Sequence, residues 1–262
     1  MILLALDLDN TLIHSYRHAA ENDVCVETME TDNGRKKLSF MSPDAYRKFT
    51  SLSSEIIAVP ITTRSRAQFG RISLFGNGTP LAVTANGGDL LVNGVPDKEW
   101  RTRSEALISP SLGELKKGAG LLENDKNRSF EVRFVDESFM FTKSDNVPET
   151  MKMLSESLDM SRVTLHENGS KVYILPKGLD KGDCLERLKK KLSPDITIAA
   201  GDSGFDIPML AAADVPIVPQ EFPKGSVRSD ALTVCPYSET GKFAGFILDF
   251  AENFYLKYRK NP

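Results

Sequence analysis

The sequence predicts an α/β fold with a parallel central sheet and an inserted α+β segment that contains an antiparallel sheet. Ile2–Leu6 and Ile196–Ala200 are short runs that are apolar on both faces, as expected for central strands of a parallel sheet covered by helices. Strand and helix patterns alternate at both ends of the chain, whereas the pattern changes between about residues 89 and 176. The 262 residues are enough for one large domain or two smaller ones.

The first third of the chain carries clear turn and helix signals. Asn33-Gly34 lies between two strand-like runs and is a strong hairpin signal. Ser42-Pro43 combines an N-cap residue with a proline at the first helical position, so a helix is predicted to begin there. The elements predicted after the first strand are a hairpin of strands 24–29 and 37–40, the helix after Ser42 and a strand that begins at Ile56.

The middle of the chain predicts the order strand, helix, two strands, helix, two strands. Asp136-Glu137 and Asn168-Gly169 mark two hairpin turns, and Asp145-Asn146 opens a helix over residues 147–158. This order gives an antiparallel sheet with helices on one side. The elements predicted after it are a helix over 184–192, strands over 196–200, 215–218 and 231–235, and helices over 207–213 and 243–258.

Composition excludes several classes of protein. The formal charge of −3 and the lack of a basic stripe with interleaved aromatic residues argue against a nucleic-acid partner. The first apolar run is too short for a signal-peptide core and no window has transmembrane length, so we expect a cytoplasmic protein without a membrane partner. Three scattered cysteines predict neither disulfides nor a cysteine metal site, and the three histidines do not cluster. A monomer or small homo-oligomer is expected.

Acidic residues follow both apolar runs directly. Asp7-Leu8-Asp9 ends the first run, and Gly201-Asp202 ends the second, with Asp206 four residues further on. Ligands of open α/β sheets gather at the carboxyl ends of the strands, so these carboxylates are candidates for chemistry. Asp and Asn are also ordinary turn residues, and a solvated junction between strand and turn is the alternative.

Four segments in order carry a family resemblance. They are Asp7-Leu8-Asp9-Asn10-Thr11, the strand that ends in Thr62-Thr63-Arg64, Lys181 at a helix start, and Gly201-Asp202-Ser203-Gly204-Phe205-Asp206. Together they resemble the haloacid dehalogenase (HAD) superfamily of aspartate-nucleophile phosphatases, over nearly the whole chain. The inserted segment is similar to the large cap of the Cof-like, sucrose-phosphate phosphatase and mannosyl-3-phosphoglycerate phosphatase branches. The resemblance implies a Rossmann-like core of residues 1–88 and 177–262 with a cap of residues 89–176.

The resemblance also implies roles for the acidic residues. Asp7 is the expected nucleophile, which forms an aspartyl phosphate, and Asp9 is the expected general acid and base. Magnesium is the expected cofactor, because oxygen ligands suit this hard cation and it offsets repulsion between a carboxylate and a phosphate dianion. Its expected ligands are Asp7, the backbone carbonyl of Asp9, and Asp202. Asp206 either binds the metal or orients its waters and the Lys181 ammonium.

Other candidates would contact the substrate. Thr62 can donate its hydroxyl to a phosphoryl oxygen and Lys181 can offset negative charge, so both are catalytic and substrate-binding candidates. Thr63 and Asn86 are further substrate-binding candidates, although Asn86 is equally well explained as a plain turn residue. Strand alternation leaves open which basic cap residues face the core. Those considered are Arg128, Arg133, Lys143, His166 and Lys171.

The expected function is therefore magnesium-dependent hydrolysis of a phosphomonoester. An Asp at position 9 is typical of phosphatases and phosphomutases in this family. The run from Asp206 to Val218 resembles the mannosyl-3-phosphoglycerate and sucrose-phosphate phosphatase branches more than Cof itself, and this resemblance implies a phosphorylated sugar or related small metabolite as substrate. A phosphomutase and a sugar-phosphate-binding sensor with little turnover are the alternatives. The chain departs from the family pattern at Thr63, where glycine is usual, and at Phe205, where asparagine is usual.

Overall fold

The computed structural model describes residues 1–75, 80–223, 225–239 and 241–260. Short 3₁₀ turns aside, the helices and strands are β1 Ile2–Leu6, β2 His14–Ser15, β3 Val24–Thr31, β4 Gly34–Met41, α1 Pro43–Thr50, β5 Ile56–Pro60, α2 Arg66–Phe69, β6 Leu81–Thr84, β7 Asp89–Val92, β8 Val95–Pro96, α3 Lys98–Ile108, α4 Leu112–Glu123, β9 Arg133–Val135, β10 Phe139–Lys143, α5 Val147–Ser157, β11 Val163–Asn168, β12 Lys171–Pro176, α6 Lys181–Leu192, β13 Ile196–Ala200, α7 Ile207–Ala212, β14 Val215–Val218, β15 Thr233–Val234 and α8 Lys242–Lys260.

A parallel sheet of five strands in the order β15-β14-β13-β1-β5 forms the centre of the molecule. β1 is completely buried, because apolar clusters cover both faces of the sheet. Leu6 lies opposite Ala200 of β13 and Pro60 of β5, so these three strands end at the same level. The α/β prediction with a parallel central sheet is confirmed.

A second sheet is antiparallel and has the order β11-β12-β10-β9. One of its faces packs on α4 and α5 through an apolar cluster that includes Met140, Val172 and Ile174. The two predicted hairpins are both present, with turns at Asp136-Glu137 and Asn168-Gly169. Two helices, α3 and α4, replace the single helix predicted before these hairpins, because Ser109–Ser111 forms a separate 3₁₀ turn between them.

Two smaller sheets flank the central one. Strands β3 and β4 form the predicted hairpin after the first motif, with β2 at its edge, and α1 begins at Pro43 with Ser42 as its N-cap. Strands β6, β7 and β8 form a small antiparallel sheet. The pairing of β6 with β7 crosses residue 88, where the first domain boundary was placed, and that division stays a prediction. No helix in the described part of the chain is both long and apolar enough to cross a membrane.

Candidate active site

Three carboxylates meet at the carboxyl end of the central sheet. Asp7 follows β1 and Asp202 follows β13, and the backbone N–H of Asp7 donates to the Ala200 carbonyl at 2.9 Å, which fixes the two strand ends side by side. Asp206, four residues after Asp202, joins them. Oxygen atoms of these three side chains all lie within 4.8 Å of one another. Asp7 and Asp206 are buried, and Asp202 is partly exposed.

Lys181 is the cation of this cluster. It occupies the first turn of α6 behind the N-cap Asp180, and its side chain is 1% exposed. The ammonium donates to Asp7 Oδ1 and, at 2.6 Å, to Asp206 Oδ1. A Cβ on the next residue, Gly182, would lie 2.7 Å from the Pro208 carbonyl oxygen. Glycine therefore lets α6 approach α7 closely enough for Lys181 to reach both carboxylates.

Asp206 organises the loop that carries Asp202. Its Oδ2 accepts from the backbone N–H of Asp202 at 3.1 Å, and from the Ser203 N–H and hydroxyl at 2.9 Å each. A Cβ at Gly201 would overlap the Asp206 side chain, so only glycine fits at the end of β13. With both oxygens of Asp206 bonded, Asp7 and Asp202 are the members better placed to offer oxygens to a ligand.

The negative charge of the three carboxylates is only partly neutralised within the cluster. Burial raises the pKa of Asp7 well above its usual value, although Lys181 opposes the shift. Burial, together with the charge of Asp206, raises the pKa of Asp202 to about 6. Burial alone would lower the pKa of Lys181, but Asp206 and Asp7 raise it. Three carboxylates share one ammonium, and this donor set fits a divalent cation. A cavity of about 280 Å³ lies beside Asp202, which is the member of the cluster that lines it.

Asp9 is held by an arginine rather than by the carboxylate cluster. Arg64 Nη2 lies 2.7 Å from Asp9 Oδ1 and Arg64 Nε lies 2.8 Å from Asp9 Oδ2, a bidentate pair. Arg64 also lies 2.9 Å from the carboxylate of Glu27, which is buried in β3 and accepts from Ser39 at 2.5 Å and pairs with Arg71 at 3.0 Å. Asp9 itself is about half exposed.

The remaining predicted residues lie at two places. Thr62 is buried just after β5, beside the end of β1, and its hydroxyl accepts from the Arg64 N–H at 3.2 Å. Thr63 next to it is partly exposed. Asn86 is buried in the 3₁₀ turn that follows β6, and its amide donates to the Leu179 carbonyl at 3.2 Å. This contact joins the turn after β6 to the turn between β12 and α6.

Phe205, which stands where the family pattern has asparagine, contacts the antiparallel sheet of β9 to β12. Its ring stacks on His166 with a centroid distance of 4.6 Å and meets Tyr173 edge-on at 4.9 Å. Burial lowers the pKa of His166, which favours a neutral ring in this stack. The aromatic residue that replaces the usual asparagine thus packs the fourth motif against the antiparallel sheet.

Sequence analysis missed two contributors to the site. Arg64 belongs to the second motif but was not predicted as a site residue, although an arginine two residues after Thr62 is a signal that an anion lies nearby. Glu27 had no signal, because its inward position depends on a β-bulge: the pairing with β4 shifts on both sides of Glu27.

By sequence, this chain is similar to a hydrolase family and to two phosphatases. A family model described as haloacid dehalogenase-like hydrolase matches residues 116–222. Phosphoglycolate phosphatase of Nitrosopumilus maritimus is 26% identical over 194 residues, which cover 70% of this chain and 75% of that protein. Sucrose-phosphatase 2 of Nicotiana tabacum is 26% identical over 229 residues, 82% of this chain. The match covers 48% of that relative, so this chain spans about half of its length.

Solved structures show a similar fold at low identity. Sucrose-phosphatase of Synechocystis, solved with sucrose and phosphate, has a TM-score of 0.66 and 16% identity, and the match covers 95% of this chain and 98% of that one. A protein related to trehalose-6-phosphate phosphatase has a TM-score of 0.57 and 15% identity, with 98% and 99% covered. These likenesses bear on the fold alone.

Proposed function

We propose that this chain, a haloacid dehalogenase-like phosphatase, is a magnesium-dependent phosphomonoester hydrolase that acts through an aspartyl phosphate on Asp7. The family predicted from the four ordered segments is confirmed by the family model and by both curated relatives. The observation that carries the mechanism is the buried contact of Lys181 with Asp7 and Asp206, beside Asp202.

Magnesium would be held by Asp7, Asp202 and the backbone carbonyl of Asp9, with Asp206 fixing the loop. When bound, it would neutralise negative charge on the phosphoryl group and on the carboxylates around it. The Lys181 ammonium supplies a further positive charge, and it needs no rearrangement because it is fixed between two carboxylates.

The chemical steps need two carboxylates with different tasks. An oxygen of Asp7 attacks phosphorus, the bond between phosphorus and the ester oxygen breaks, and the departing alkoxide takes a proton from Asp9. In the second step a water gives a proton to Asp9 and attacks the phosphorus of the aspartyl phosphate. The bond between phosphorus and the Asp7 oxygen then breaks, so that phosphate is released and the Asp7 carboxylate is restored. The Thr62 hydroxyl accepts one backbone hydrogen bond, and its own hydrogen is free for a phosphoryl oxygen.

We place the substrate among phosphorylated sugars and related small metabolites. The relatives by sequence are named as phosphoglycolate and sucrose phosphatases, and the similar sucrose-phosphatase structure holds sucrose and phosphate. In our proposal the antiparallel sheet lies over the carboxylate cluster as a cap, because His166 and Tyr173 of that sheet contact Phe205 next to the cluster.

Phosphate release tests the proposal. Wild type is assayed with and without magnesium on a panel of sugar phosphates, glycerol 3-phosphate and 2-phosphoglycolate, beside Asp7→Asn. Asp44→Asn, which changes an exposed aspartate on α1, is the matched control. We expect release that needs both magnesium and Asp7, with the control equal to wild type. Binding without release would favour a sensor, and isomerisation of a sugar phosphate that needs an added bisphosphate and releases no inorganic phosphate would favour a mutase.

A further inference from the structure

Two lysines lie directly opposite each other in the antiparallel sheet. Lys143 of β10 pairs with Lys171 of β12, although like charges at opposite positions of an antiparallel pair are destabilising. In the described part of the chain neither amine has a carboxylate within 4.0 Å. Instead, Lys143 lies 5.3 Å from the ring centre of Phe130 and Lys171 lies 5.6 Å from that of Phe141. The repulsion between the two ammonium groups costs stability, and among the described residues these ring contacts stand in place of the carboxylate partners that would neutralise the charges.

Both lysines point to the face of the sheet that meets the core. Val172 and Ile174 belong to the cluster under the cap helices, whereas Tyr173 packs with Phe205 of the core. Successive side chains of a strand alternate between faces, so Lys171 lies on the side of Tyr173. The same alternation places Lys143 with its neighbour Phe141, which is also packed on that side.

The groups opposite Lys171 belong to the candidate active site. Burial lowers the pKa of Lys171, the charge of Asp9 opposes the shift, and Lys143 and Arg64 add to it. Asp9 is already bound by both nitrogens of the Arg64 fork, so it does not serve as a close partner for the lysine. An unpaired positive charge therefore remains in the space between the sheet and Asp9.

The other basic residues considered in the cap each contact a group of the protein itself. Arg133 pairs with Glu131 at 2.5 Å, and Arg128 donates to the Phe130 carbonyl at 3.0 Å. His166 stacks on Phe205. Of the five basic residues considered from the sequence, Lys143 and Lys171 are the two whose side chains have only ring contacts, with neither an ion pair nor a hydrogen bond, among the described residues.

We propose that Lys143 and Lys171 bind a second anionic group of the substrate, a carboxylate or a second phosphate, while its phosphoryl group lies at Asp7. The inference rests on the proposed function, and it narrows the substrate class from any small phosphomonoester to one that carries a further negative charge. The aromatic side chains of Phe141 and Tyr173, which lie beside the lysines on the same face, would contact the carbon skeleton between the two anions.

The test compares two substrates that differ in one group. 3-Phosphoglycerate and glycerol 3-phosphate share a three-carbon skeleton, and a carboxylate in the first replaces a hydroxymethyl group in the second. We expect wild type to prefer 3-phosphoglycerate in kcat/KM by about 10-fold or more, since hydrogen bonds to charged groups are worth about 1.5–3 kcal/mol. Lys171→Met and Lys143→Met should each reduce that preference and leave glycerol 3-phosphate within about 2-fold of wild type. Lys152→Met, on the helix side of the cap, is the control and should keep the preference.

Equal kcat/KM for the two substrates in wild type would overturn the inference, as would a preference that survives both lysine substitutions. Calorimetric binding of the two compounds to Asp7→Asn gives the same comparison without turnover, so the inference remains testable if no phosphate is released. A preference in binding that disappears in Asp7→Asn/Lys171→Met would support the subsite even in that case, whereas equal affinities would refute it. Absence of release from every phosphomonoester, p-nitrophenyl phosphate included, would instead contradict the proposed function.

Discussion

Glu27 connects the arginine that binds Asp9 to the interior of the β3-β4 hairpin, and Glu27→Gln tests whether this connection serves the chemistry. The carboxylate is buried and shared between Arg64 at 2.9 Å and Arg71 at 3.0 Å. Removal of one partner of a buried ion pair costs about 3–5 kcal/mol, but glutamine keeps the volume and one acceptor oxygen. We therefore expect Glu27→Gln to lower the free energy of unfolding by about 2–3 kcal/mol, close to the contribution of one hydrogen bond to a charged group.

The kinetic effect of Glu27→Gln should depend on the leaving group. With one anchor lost, Arg64 holds Asp9 less well, and protonation of a departing alkoxide becomes slower. General acid catalysis contributes about 10²- to 10⁴-fold, so a partial loss of alignment should lower kcat/KM for glycerol 3-phosphate by about 10-fold, or about 1.4 kcal/mol. p-Nitrophenolate leaves without a proton, and kcat/KM reports only the steps up to the first bond cleavage. We therefore expect Glu27→Gln to change kcat/KM for p-nitrophenyl phosphate by less than about 2-fold.

The assay measures kcat/KM for both substrates and the melting temperature of each variant. Glu30→Gln, an exposed glutamate on the same strand that pairs with Arg35, is the control and should match wild type in all three values. For a chain of this size the expected destabilisation lowers the melting temperature by about 5–10 °C. Equal losses of kcat/KM on the two substrates would refute the reasoning, because they would mean that Glu27 acts on the fold rather than on Asp9.

Two further predictions concern the metal and the cap. The raised pKa of Asp202, about 6, means that the metal-free folded protein binds a proton between about pH 4 and 6 that the unfolded chain does not. The contribution of Asp202 to stability falls as pH rises through that range, so magnesium should raise the melting temperature more at about pH 7.5 than at about pH 5. Asp202→Asn should reduce the difference, and the raised pKa of Asp7 should preserve part of it. Phe205→Asn removes the ring contacts with His166 and Tyr173, so we expect the free energy of unfolding to fall by about 3 kcal/mol. We also expect KM to rise with little change in kcat. An unchanged KM would contradict the proposal that Phe205 positions the antiparallel sheet.

The elements that sequence analysis located best are those with the strongest local signals. β1 and β13 are apolar on both faces and end in an acidic or glycine turn, and both strands begin and end where the sequence placed them. The convergence of Asp7 with Asp202 follows from the same pattern, because adjacent parallel strands end at one edge of a sheet. The split between α3 and α4 was missed, since both segments carry helical sequence and only a single 3₁₀ turn separates them.

Other features depend on contacts between distant parts of the chain and have no local signal. Simple alternation along β3 would put Val26 and Glu27 on opposite faces, but the bulge buries both. The face on which Lys171 lies follows only from the packing of its neighbours on the core. Phe205 was recognised as unusual in the motif, but its contact with His166 required the position of the cap.

The site's central contact joins residues 174 positions apart, Lys181 and Asp7. During synthesis β1 emerges early, yet its partner β13 emerges only after the whole inserted segment has been made. The hairpins of that segment are local in sequence and can pair as soon as they appear, whereas β1 has β5 alone as a strand partner until β13 is made. Helices α6, α7 and α8, whose residues belong to the clusters on its two faces, also come after that segment. A chain stalled before residue 196 would therefore leave one edge of β1 unpaired and much of its apolar surface uncovered, and such edges and surfaces promote aggregation.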